Sequence, residues 1–582
     1  MPADQTANGE TLKGDAKHPE DIWAAALGNQ DLSVMVGLSP SHMRSQLIAL
    51  GMIDEKRAIA DLQDVFTDAL RHHQIGHLAD SERLYRRILV VDPRHADTLQ
   101  LLGVLAHQVG RNDIAVQMIG HAIGINYGEA TYYTNLGPAL KCLGRLADAV
   151  TSYSAAIRLK PDLAEAYSNL GGVLTDLGRI AEAVAACRAA LRIKPDYAEA
   201  YSNLGLALKE LGRLDQAVTA FGIAVGINPD YAEAYSNLGI SLTDLGCLDA
   251  SIRAYRAALR LKPDFAEAHY NESLSLFLLG DLSAAWSKYE WRWRGGGRQQ
   301  KPRGFSQPQW QGEDIVGRTI LLHAEQGLGD SILFSRYVKL VAARGGRVVL
   351  EAPRSLLRLL SGLAGADSLV AVGDPLPDFD CHCPLISLPG VFGTTLENIP
   401  CTVPYLFAES EARQRWQRRI NPSGFRVGIA WQGNPTYKDD RKRSVPVCCF
   451  APLAQIPGVR LISLQKVHGL RQLENLPDGV VIETLGADFD EGADAFIDSA
   501  AVMMNLDLII TVDTATAHLA GALGRPVWMA LAMVPHWIWM AEGAESPWYP
   551  NIRLFRQTAS GEWGGVFAQM AAELEAMAVD RT

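Results

Sequence analysis

Apolar residues recur at every third or fourth position between about residues 61 and 295, and this spacing predicts a succession of amphipathic helices. Within one stretch, the first apolar stripe contains Ala166, Leu170, Val173, Leu174 and Leu177, and the second contains Ala183, Cys187, Ala190 and Leu191. Gly178 separates the two stripes and Pro195 follows the second, and both residue types interrupt helices. The pattern therefore predicts a helical hairpin.

The same pattern returns along the chain with a fixed step. The eight-residue segment that begins at Ala164 is repeated letter for letter from Ala198 and from Ala232, which is a step of 34 residues each time. Prolines and glycines keep this step at Pro161, Pro195, Pro229 and Pro263, and at Gly144, Gly178, Gly212, Gly246 and Gly280. A 34-residue period of helical hairpins resembles the tetratricopeptide repeat. Because one hairpin cannot bury both of its stripes, we expect about seven units to stack into a superhelix with a concave inner face.

The amino-acid composition changes after the repeats, because every tryptophan except Trp23 stands at or after Trp286. Short β-rich runs then alternate with helical segments, at Ile320–His323, Arg347–Leu350, Ser368–Val372, Val427–Trp431, Leu461–Leu464, Val480–Ile482 and Leu508–Val512. This alternation predicts parallel sheets flanked by helices. We place the boundaries of an N-terminal extension at 1–60, the repeats at 61–295, and two Rossmann-like halves at 296–410 and 411–582.

Composition narrows the class of protein further. The chain has 582 residues, 48% hydrophobic and 20% charged, with a formal net charge of −11, so a general nucleic-acid binder is disfavoured. The eight cysteines lack a CxxC pair, and no metal site is predicted from them. The longest late apolar run, Val527–Val534, is too short to span a bilayer, and the first residues do not have the pattern of a signal peptide. We expect a cytoplasmic protein without membrane insertion.

The first candidate site follows the first predicted strand of the α/β part. The segment Glu325–Asp330 has glycines at Gly327 and Gly329 and precedes a predicted helix from Ser331 to Ala343. Glycines in a strand-to-helix turn let the backbone approach a ligand, and the N–H groups that begin a helix can bind an anion. Gln326 belongs to the same turn. The alternative for Asp330 is that it only caps the helix.

A second candidate site follows the strand at Leu508–Val512. Asp513 is expected to cap the next helix, Thr514 and the N–H groups after it can hold a phosphate, and His518 lies one turn further on. A lone histidine in a helix is more often structural, but this one shares its strand end with several polar residues.

Two further strand ends carry polar groups. The segment from Trp431 to Ser444 contains Asn434 and four basic residues, among them Lys442 and Arg443, which suit either a diphosphate or a solvated surface loop. Gln465 follows the strand at Leu461–Leu464, where its amide would meet a nucleotide base or a sugar hydroxyl.

The repeats carry an additional ladder of amides at Asn135, Asn169, Asn203, Asn237 and Asn271. Each amide can both donate to and accept from a peptide group, so a ladder on the concave face can hold an extended protein or peptide with little dependence on its sequence. This resembles the asparagine ladder in the repeats of eukaryotic O-linked N-acetylglucosamine transferases. The alternative is that these residues bond neighbouring helices to each other.

In order, the segments EQGLGD, GIAWQGNP, SLQ, VDTATAHLAGALG and SPWYPNIRLFRQ resemble the heptosyltransferase-related GT-B glycosyltransferase domains that bacteria fuse behind tetratricopeptide repeats. The resemblance covers about residues 286–582 and implies an α-solenoid followed by a GT-B-like pair of Rossmann-like domains. It implies that Asp330 is the catalytic base and that Asp513, Thr514 and His518 bind the donor diphosphate. The remaining donor-binding candidates are Gln326, Gly327, Gly329, Asn434, Lys442, Arg443 and Gln465.

The resemblance implies an enzyme that transfers a sugar from a nucleotide-activated donor to a protein such as flagellin or another surface protein. Because no Asp-x-Asp site stands beside the predicted phosphate site, we expect this enzyme to need no metal, and we expect no cofactor. The alternatives are a non-catalytic scaffold with a degenerate transferase domain, and transfer to a lipid-linked glycan. One segment departs from the pattern: related fusions often have Asp-Trp-Arg-Trp where this chain has His536–Trp539. The sugar, the nucleotide and the acceptor are not specified by the sequence.

Overall fold

The computed structural model describes residues 55–295 and 302–579, so the predicted extension at 1–60 lies outside them except for residues 55–60. A helix begins at Glu55, and the predicted boundary at residue 61 therefore falls inside this helix. The chain divides into two compact units, Met1–Asn228 and Pro229–Thr582. The second unit thus begins within the repeats.

The described part of the first unit consists of helices that pair into hairpins. They are α1 (Glu55–Gln74), α2 (Leu78–Val91), α3 (Ala96–Gln108), α4 (Asn112–Ile125), α5 (Ala130–Cys142), α6 (Leu146–Leu159), α7 (Ala164–Asp176), α8 (Ile180–Ile193), α9 (Ala198–Glu210) and α10 (Leu214–Ile227). The sequence predicted such hairpins, and the structure confirms them.

A glycine turn closes each hairpin in the same way. After α7, Gly178 has a φ of +74°, and its N–H donates to the carbonyl of Thr175 at 3.0 Å. The N–H of Arg179 donates to the carbonyl of Leu174 at 2.9 Å, which completes a Schellman motif. A residue with a side chain rarely adopts this φ, so the repeated glycine is the sequence feature that ends the first helix of each pair.

The second unit begins with two more hairpins and continues into the α/β part. Its repeat helices are α11 (Ala232–Asp244), α12 (Leu248–Leu261), α13 (Ala266–Leu279) and α14 (Leu282–Tyr289), followed by a 3₁₀ turn at Glu290–Trp293. The later helices are α15 (Leu328–Phe334), α16 (Val338–Ala342), α17 (Leu357–Leu360), α18 (Leu388–Val391), α19 (Ser410–Arg419), α20 (Asp440–Arg443), α21 (Ala451–Ala454), α22 (Ile497–Met503), α23 (Ala515–Ala522) and α24 (Gly564–Val579).

Two parallel sheets form the α/β part. The first contains β1 (Thr319–His323), β2 (Arg347–Ala352), β3 (Ser368–Ala371) and β4 (Cys381–Pro384) in the order β3-β2-β1-β4. The second contains β5 (Phe425–Ala430), β6 (Val459–Ser463), β7 (Ile482–Glu483), β8 (Leu508–Val512), β9 (Val527–Leu531) and β10 (Ile552–Arg556) in the order β10-β9-β8-β5-β6-β7. Counted from its own first strand, the second sheet has the order 6-5-4-1-2-3, which is that of a doubly wound dinucleotide-binding sheet.

The last hairpin shares its core with both sheets. Phe277, Trp286 and Tyr289 are buried in one cluster with residues from β1, β2, β8 and β9. The indole of Trp286 also donates to the carbonyl of Thr394 at 2.9 Å. Within the second unit, the final repeat is therefore an integral layer of the α/β part.

At this level the predicted fold class is confirmed, as helical repeats followed by parallel α/β sheets. Each of the seven predicted runs overlaps a strand, although the run at Val480–Ile482 shares only Ile482 with β7, and the structure adds β4, β9 and β10. The helix predicted from Ser331 to Ala343 is instead α15 and α16 with a 3₁₀ turn, Ser335–Tyr337, between them. Among the described residues, no helix combines the length and the apolar character needed to cross a bilayer.

Candidate functional site

The polar motifs lie where the strand order of each sheet reverses. In the first sheet this point lies between β1 and β4, and in the second it lies between β5 and β8. Ligands of doubly wound sheets bind beyond the carboxyl ends of the strands at such a point. The turn that contains Gly327 follows β1, the basic loop that begins at Trp431 follows β5, and Asp513 follows β8.

The glycine turn after β1 contacts the helix after β8. A Cβ atom built on Gly329 would lie 2.8 Å from Cδ2 of His518 and 3.4 Å from Cα of Ala515. Only a residue without a side chain allows α15 and α23 to approach this closely without displacement. The structure thus brings two of the predicted sites together.

Asp330 lies in the first turn of α15 and is partly buried. One of its carboxylate oxygens accepts from the N–H of Gly327 at 3.1 Å, as expected of a capping residue. Burial raises the pKa of Asp330, and the charge of Asp513 raises it further, whereas His536 and the bond from Gly327 act in the opposite direction. A carboxylate with a raised pKa is a stronger base than an ordinary aspartate, and the capping role does not exclude a catalytic one.

His518 is buried among aromatic side chains. Its Nδ1 lies 3.2 Å from the hydroxyl of Tyr549, and its ring stacks on Trp539 with 5.2 Å between centroids. Burial lowers the pKa of His518 to about 3, an effect that Asp513 opposes. The imidazole is therefore neutral at physiological pH, and any part it has in phosphate binding is that of a hydrogen-bonding group rather than of a cation.

The sequence predicts that Asp513 caps α23, and this prediction is wrong. Thr514 is the N-cap residue, with an extended backbone, and its side chain makes no capping bond to this helix. The hydroxyl of Thr514 donates to the carbonyl of Val512 at 3.5 Å, and Asp513 is 7% exposed. The first N–H groups of α23 therefore receive no capping bond from the side chain of their N-cap residue.

The basic loop is held by acidic partners. Lys442 pairs with Asp244 of α11 at 3.0 Å and with Asp439 at 3.3 Å. Burial alone would lower the pKa of Lys442, but these two carboxylates outweigh it and raise the pKa. Arg443 pairs with the buried Asp440 at 3.1 Å. Both cations are thus oriented before any ligand binds.

The three candidate amides near the sheets bond to the protein itself. Gln465 accepts from the N–H groups of Trp431 and Gln432 at 2.9 and 3.1 Å and donates to the carbonyl of Gln432 at 2.9 Å. Gln326 donates to the hydroxyl of Tyr289 at 2.8 Å. The exposed Asn434 accepts from Thr436 in a local turn. In this structure Gln465 and Gln326 shape the site, and their contact with a donor stays a prediction.

All five asparagines of the repeat ladder are partly buried. Asn203 donates to the carbonyl and the hydroxyl of Ser168, both at 3.0 Å, which connects α9 to α7. At this position the asparagine therefore bonds one helix to another, as the alternative interpretation of the ladder predicts. The amides of Asn135, Asn169, Asn237 and Asn271 make no such bond within the described residues, so capture of a peptide stays a prediction for them.

A buried ion pair that the sequence does not indicate lies beside Asp330. Arg292, from the turn after the last repeat, is 3% exposed and bonds to Glu325 at 3.0 Å, to Glu290 at 2.6 Å and to Ser387 at 2.7 Å. Burial raises the pKa of Glu325 to about 7, although Arg292 opposes the shift. The position of Glu325 within the glycine motif marks it as a candidate site residue. Its partner Arg292 is 33 residues away in the sequence, and no motif or helical spacing connects the two.

The segment His536–Trp539, which differs from the Asp-Trp-Arg-Trp of related fusions, is part of the packing around the site. Trp537 is 6% exposed and stacks on Phe277 with 4.2 Å between ring centroids. Trp539 is fully buried against His518. The two tryptophans that this chain shares with the usual pattern are thus structural, and the two changed positions are the half-buried His536 and the buried Ile538.

Comparison with known proteins identifies the class of the repeats. The family model described as "TPR repeat" matches residues 137–175, 171–212, 207–246 and 239–280. This part of the chain therefore consists of tetratricopeptide repeats, as the 34-residue period predicted.

One curated relative is Protein FlbA of Caulobacter vibrioides, which is 25% identical over 302 residues. The match spans 46% of this chain and 48% of the relative, about half of each. Among solved structures, MamA is 27% identical, with a TM-score of 0.26, over 28% of this chain and 96% of its own. A thermophilic TPR protein of Thermus thermophilus is 22% identical, with a TM-score of 0.29, over 31% of this chain and 98% of its own.

Proposed function

We propose that the α/β part is a GT-B glycosyltransferase that uses a nucleotide-sugar and that the repeats hold its protein acceptor. The observation that carries the proposal is the meeting of two strand-end motifs, Gly329 of the first sheet against His518 of the second. Both motifs lie where doubly wound sheets bind ligands. A donor on one sheet and an acceptor on the other would meet at this point.

In the proposed reaction Asp330 takes the proton of the acceptor hydroxyl as that oxygen attacks the anomeric carbon. The bond from the anomeric carbon to the diphosphate breaks, and the nucleotide leaves with its negative charge. The first N–H groups of α23 and the hydroxyl of Thr514 stabilise this charge, and the preorganised Arg443 adds a cation. Neutral His518 takes part only through a hydrogen bond.

The test is Asp330→Asn, which keeps the oxygen that accepts from Gly327 but removes the basic carboxylate. We expect transfer of sugar from a panel of UDP-, GDP- and ADP-linked donors to surface proteins of the source cell to fall about 10²–10⁴-fold. Asp378→Asn, at an exposed position, is the matched control. Transfer by Asp330→Asn at the rate of the control would remove Asp330 as the base.

Donor binding is tested separately with Thr514→Val, which removes a hydroxyl and retains the shape of the side chain. Calorimetry with UDP and GDP should show weaker binding for this variant. It is preferable to a change at His518, whose burial against Trp539 and Tyr549 makes substitution destabilising.

The second candidate function is a protein-interaction scaffold. It is favoured by the match of the family model to the repeats and by the engagement of Gln326 and Gln465 with the protein itself. Absence of transfer by the wild-type chain to every acceptor, with partner binding retained, would support the scaffold. Transfer to a lipid-linked glycan in the same assay would instead support the third alternative.

A further inference from the structure

A cluster of metal-ligand side chains lies at the turn of the first hairpin that the structure describes. It consists of His72 at the end of α1, His77 just before α2, and Asp80 in the first turn of α2. One ligand-type atom from each of the three side chains lies within 4.8 Å of the other two. The centroids of the His72 and His77 rings are 5.6 Å apart, and the two ring planes are inclined to each other by 30°.

The backbone brings these side chains together. Gly76 has a φ of +79°, and the N–H of His77 donates to the carbonyl of His72 at 2.9 Å. This is the Schellman turn that every hairpin of the array uses, so its geometry does not depend on the histidines. Asp80 follows His77 by three residues, which places it on the same side of α2. The cluster is therefore built on a rigid turn.

Comparison with the later repeats shows that the histidines are exceptional. One repeat further on each time, the position of His72 holds Ala106, Leu140, Leu174, Leu208, Leu242 and Leu276. At the position of His77, four of the later repeats have arginine, and Arg145 and Arg179 pair there with Asp148 and Glu182 at 2.7 Å. In the first hairpin, histidine thus stands where the later repeats have an apolar residue and where most of them have arginine. Asp80 supplies the carboxylate that Asp148 and Glu182 supply in two of the later repeats.

The environment of His72 is unfavourable for an imidazole alone. Its Nδ1 is buried and has no hydrogen-bond partner among the residues that the structure describes. Burial of an unpaired polar atom is costly, and the later repeats avoid this cost with alanine or leucine. Its other ring nitrogen, Nε2, lies 3.8 Å from the carboxylate of Asp68. This distance is too long for a hydrogen bond, so Asp68 does not satisfy the imidazole of His72.

We propose that His72, His77 and Asp80 bind one divalent transition-metal ion of the zinc class, with water completing the coordination. Imidazole nitrogens and a carboxylate oxygen are common zinc ligands, at about 2.0–2.2 Å from the metal. Donor atoms around a tetrahedral ion are about 3.4 Å apart, so the ligand atoms approach one another by at most about 1.4 Å on binding, and the exposed His77 has the freedom to move. The ion joins α1 to α2 at the first hairpin described.

The test is zinc binding by the full chain, measured by calorimetry with zinc chloride in a reducing buffer. The variants are His72→Leu, His77→Ala and Asp80→Asn, and the control is His121→Ala, which removes an exposed histidine from the same unit. We expect each of the three variants, but not the control, to lose one equivalent of zinc or to bind it at least tenfold more weakly. The eight cysteines are present in the wild type and in every variant, so they do not affect the difference in zinc binding between these proteins.

Thermal stability gives a second measurement. His72→Leu restores the residue that most later repeats have, so without metal the variant should be at least as stable as the wild type. Zinc should raise the melting temperature of the wild type and of His121→Ala but not that of His72→Leu. Equal zinc binding and an equal zinc-induced rise in all proteins would overturn the proposal, as would a wild-type chain that binds no zinc.

Discussion

At the scale of single residues, the contact between Gly329 and His518 leads to a direct prediction. In Gly329→Ala the new Cβ atom would lie 2.8 Å from the imidazole, so α15 and α23 must separate. We expect a loss of about 1–3 kcal/mol in the free energy of unfolding, as for overpacked cores. Thermal denaturation of the full chain measures it.

Gly327→Ala is the matched control for this change. Its Cβ atom would meet only the carboxylate of Asp330, at an ordinary 3.4 Å, and the φ of Gly327 is −68°. A Gly329→Ala protein as stable as Gly327→Ala would contradict the close approach of the two helices.

A second residue-scale prediction concerns pH. His323 is 2% exposed, and burial together with the neighbouring His382 and Arg303 lowers its pKa to about 3. Below the usual histidine pKa of about 6.5, the unfolded chain binds a proton that the folded chain does not, so stability falls as the pH falls. Between pH 7 and pH 5 the titration of this histidine should lower the free energy of unfolding by about 2 kcal/mol.

The measurement compares melting temperatures of the wild type and His323→Gln across this range. Glu325, whose pKa is raised, changes stability in the opposite direction, but it is present in both proteins and cancels in the difference. A difference between the two proteins that is constant with pH would show that His323 titrates normally.

At the scale of elements, the asparagine ladder is expected to divide into two groups. Asn203→Ala removes two bonds between α9 and α7 and should cost about 1 kcal/mol of stability. Asn169→Ala removes no hydrogen bond within the described residues and should leave the melting temperature nearly unchanged. If calorimetry showed equal losses, the ladder would be structural throughout.

Elements that depend on local sequence were predictable. The hairpins follow from the 34-residue period because each turn glycine and each apolar stripe acts within one repeat. Strands β4 and β9 were not predicted, for different reasons. The segment Cys381–Pro384 is short and contains histidine and proline. The segment Val527–Leu531 is wholly apolar and does not alternate, so periodicity does not distinguish it from a buried helix.

The candidate site was predictable in part for the same reason. Asp330 and His518 stand in motifs at strand ends, and the order of strands then brings those ends together. Arg292 could not be found from sequence, because its bonds to Glu325 and Ser387 join distant segments. The engagement of Gln465 with the backbone of Trp431 and Gln432 is likewise a property of the folded loop.

At the scale of the whole molecule, the shared core of the last hairpin predicts where the chain can be cut. A protein of residues 229–582 contains all of the cluster around Phe277, Trp286 and Tyr289, and it should fold cooperatively. A protein of residues 296–582 lacks these side chains and Arg292, so Trp537 and Glu325 lose their buried partners. We expect it to aggregate or to remain partly unfolded.

Circular dichroism and thermal denaturation of the two fragments measure this difference. Cooperative melting of 296–582 at the temperature of the longer fragment would show that the α/β part is independent of the repeats.

The fused last hairpin also limits how such a chain can change its length. Hairpins before Pro229 repeat a 34-residue unit, so duplication or deletion of whole units there would alter the length of the array without touching the core around Trp286. The hairpin of α13 and α14 cannot be exchanged in this way, because its aromatic side chains fit Trp537 and the segment near Thr394. Related chains should therefore differ in the number of their early repeats and keep the final one.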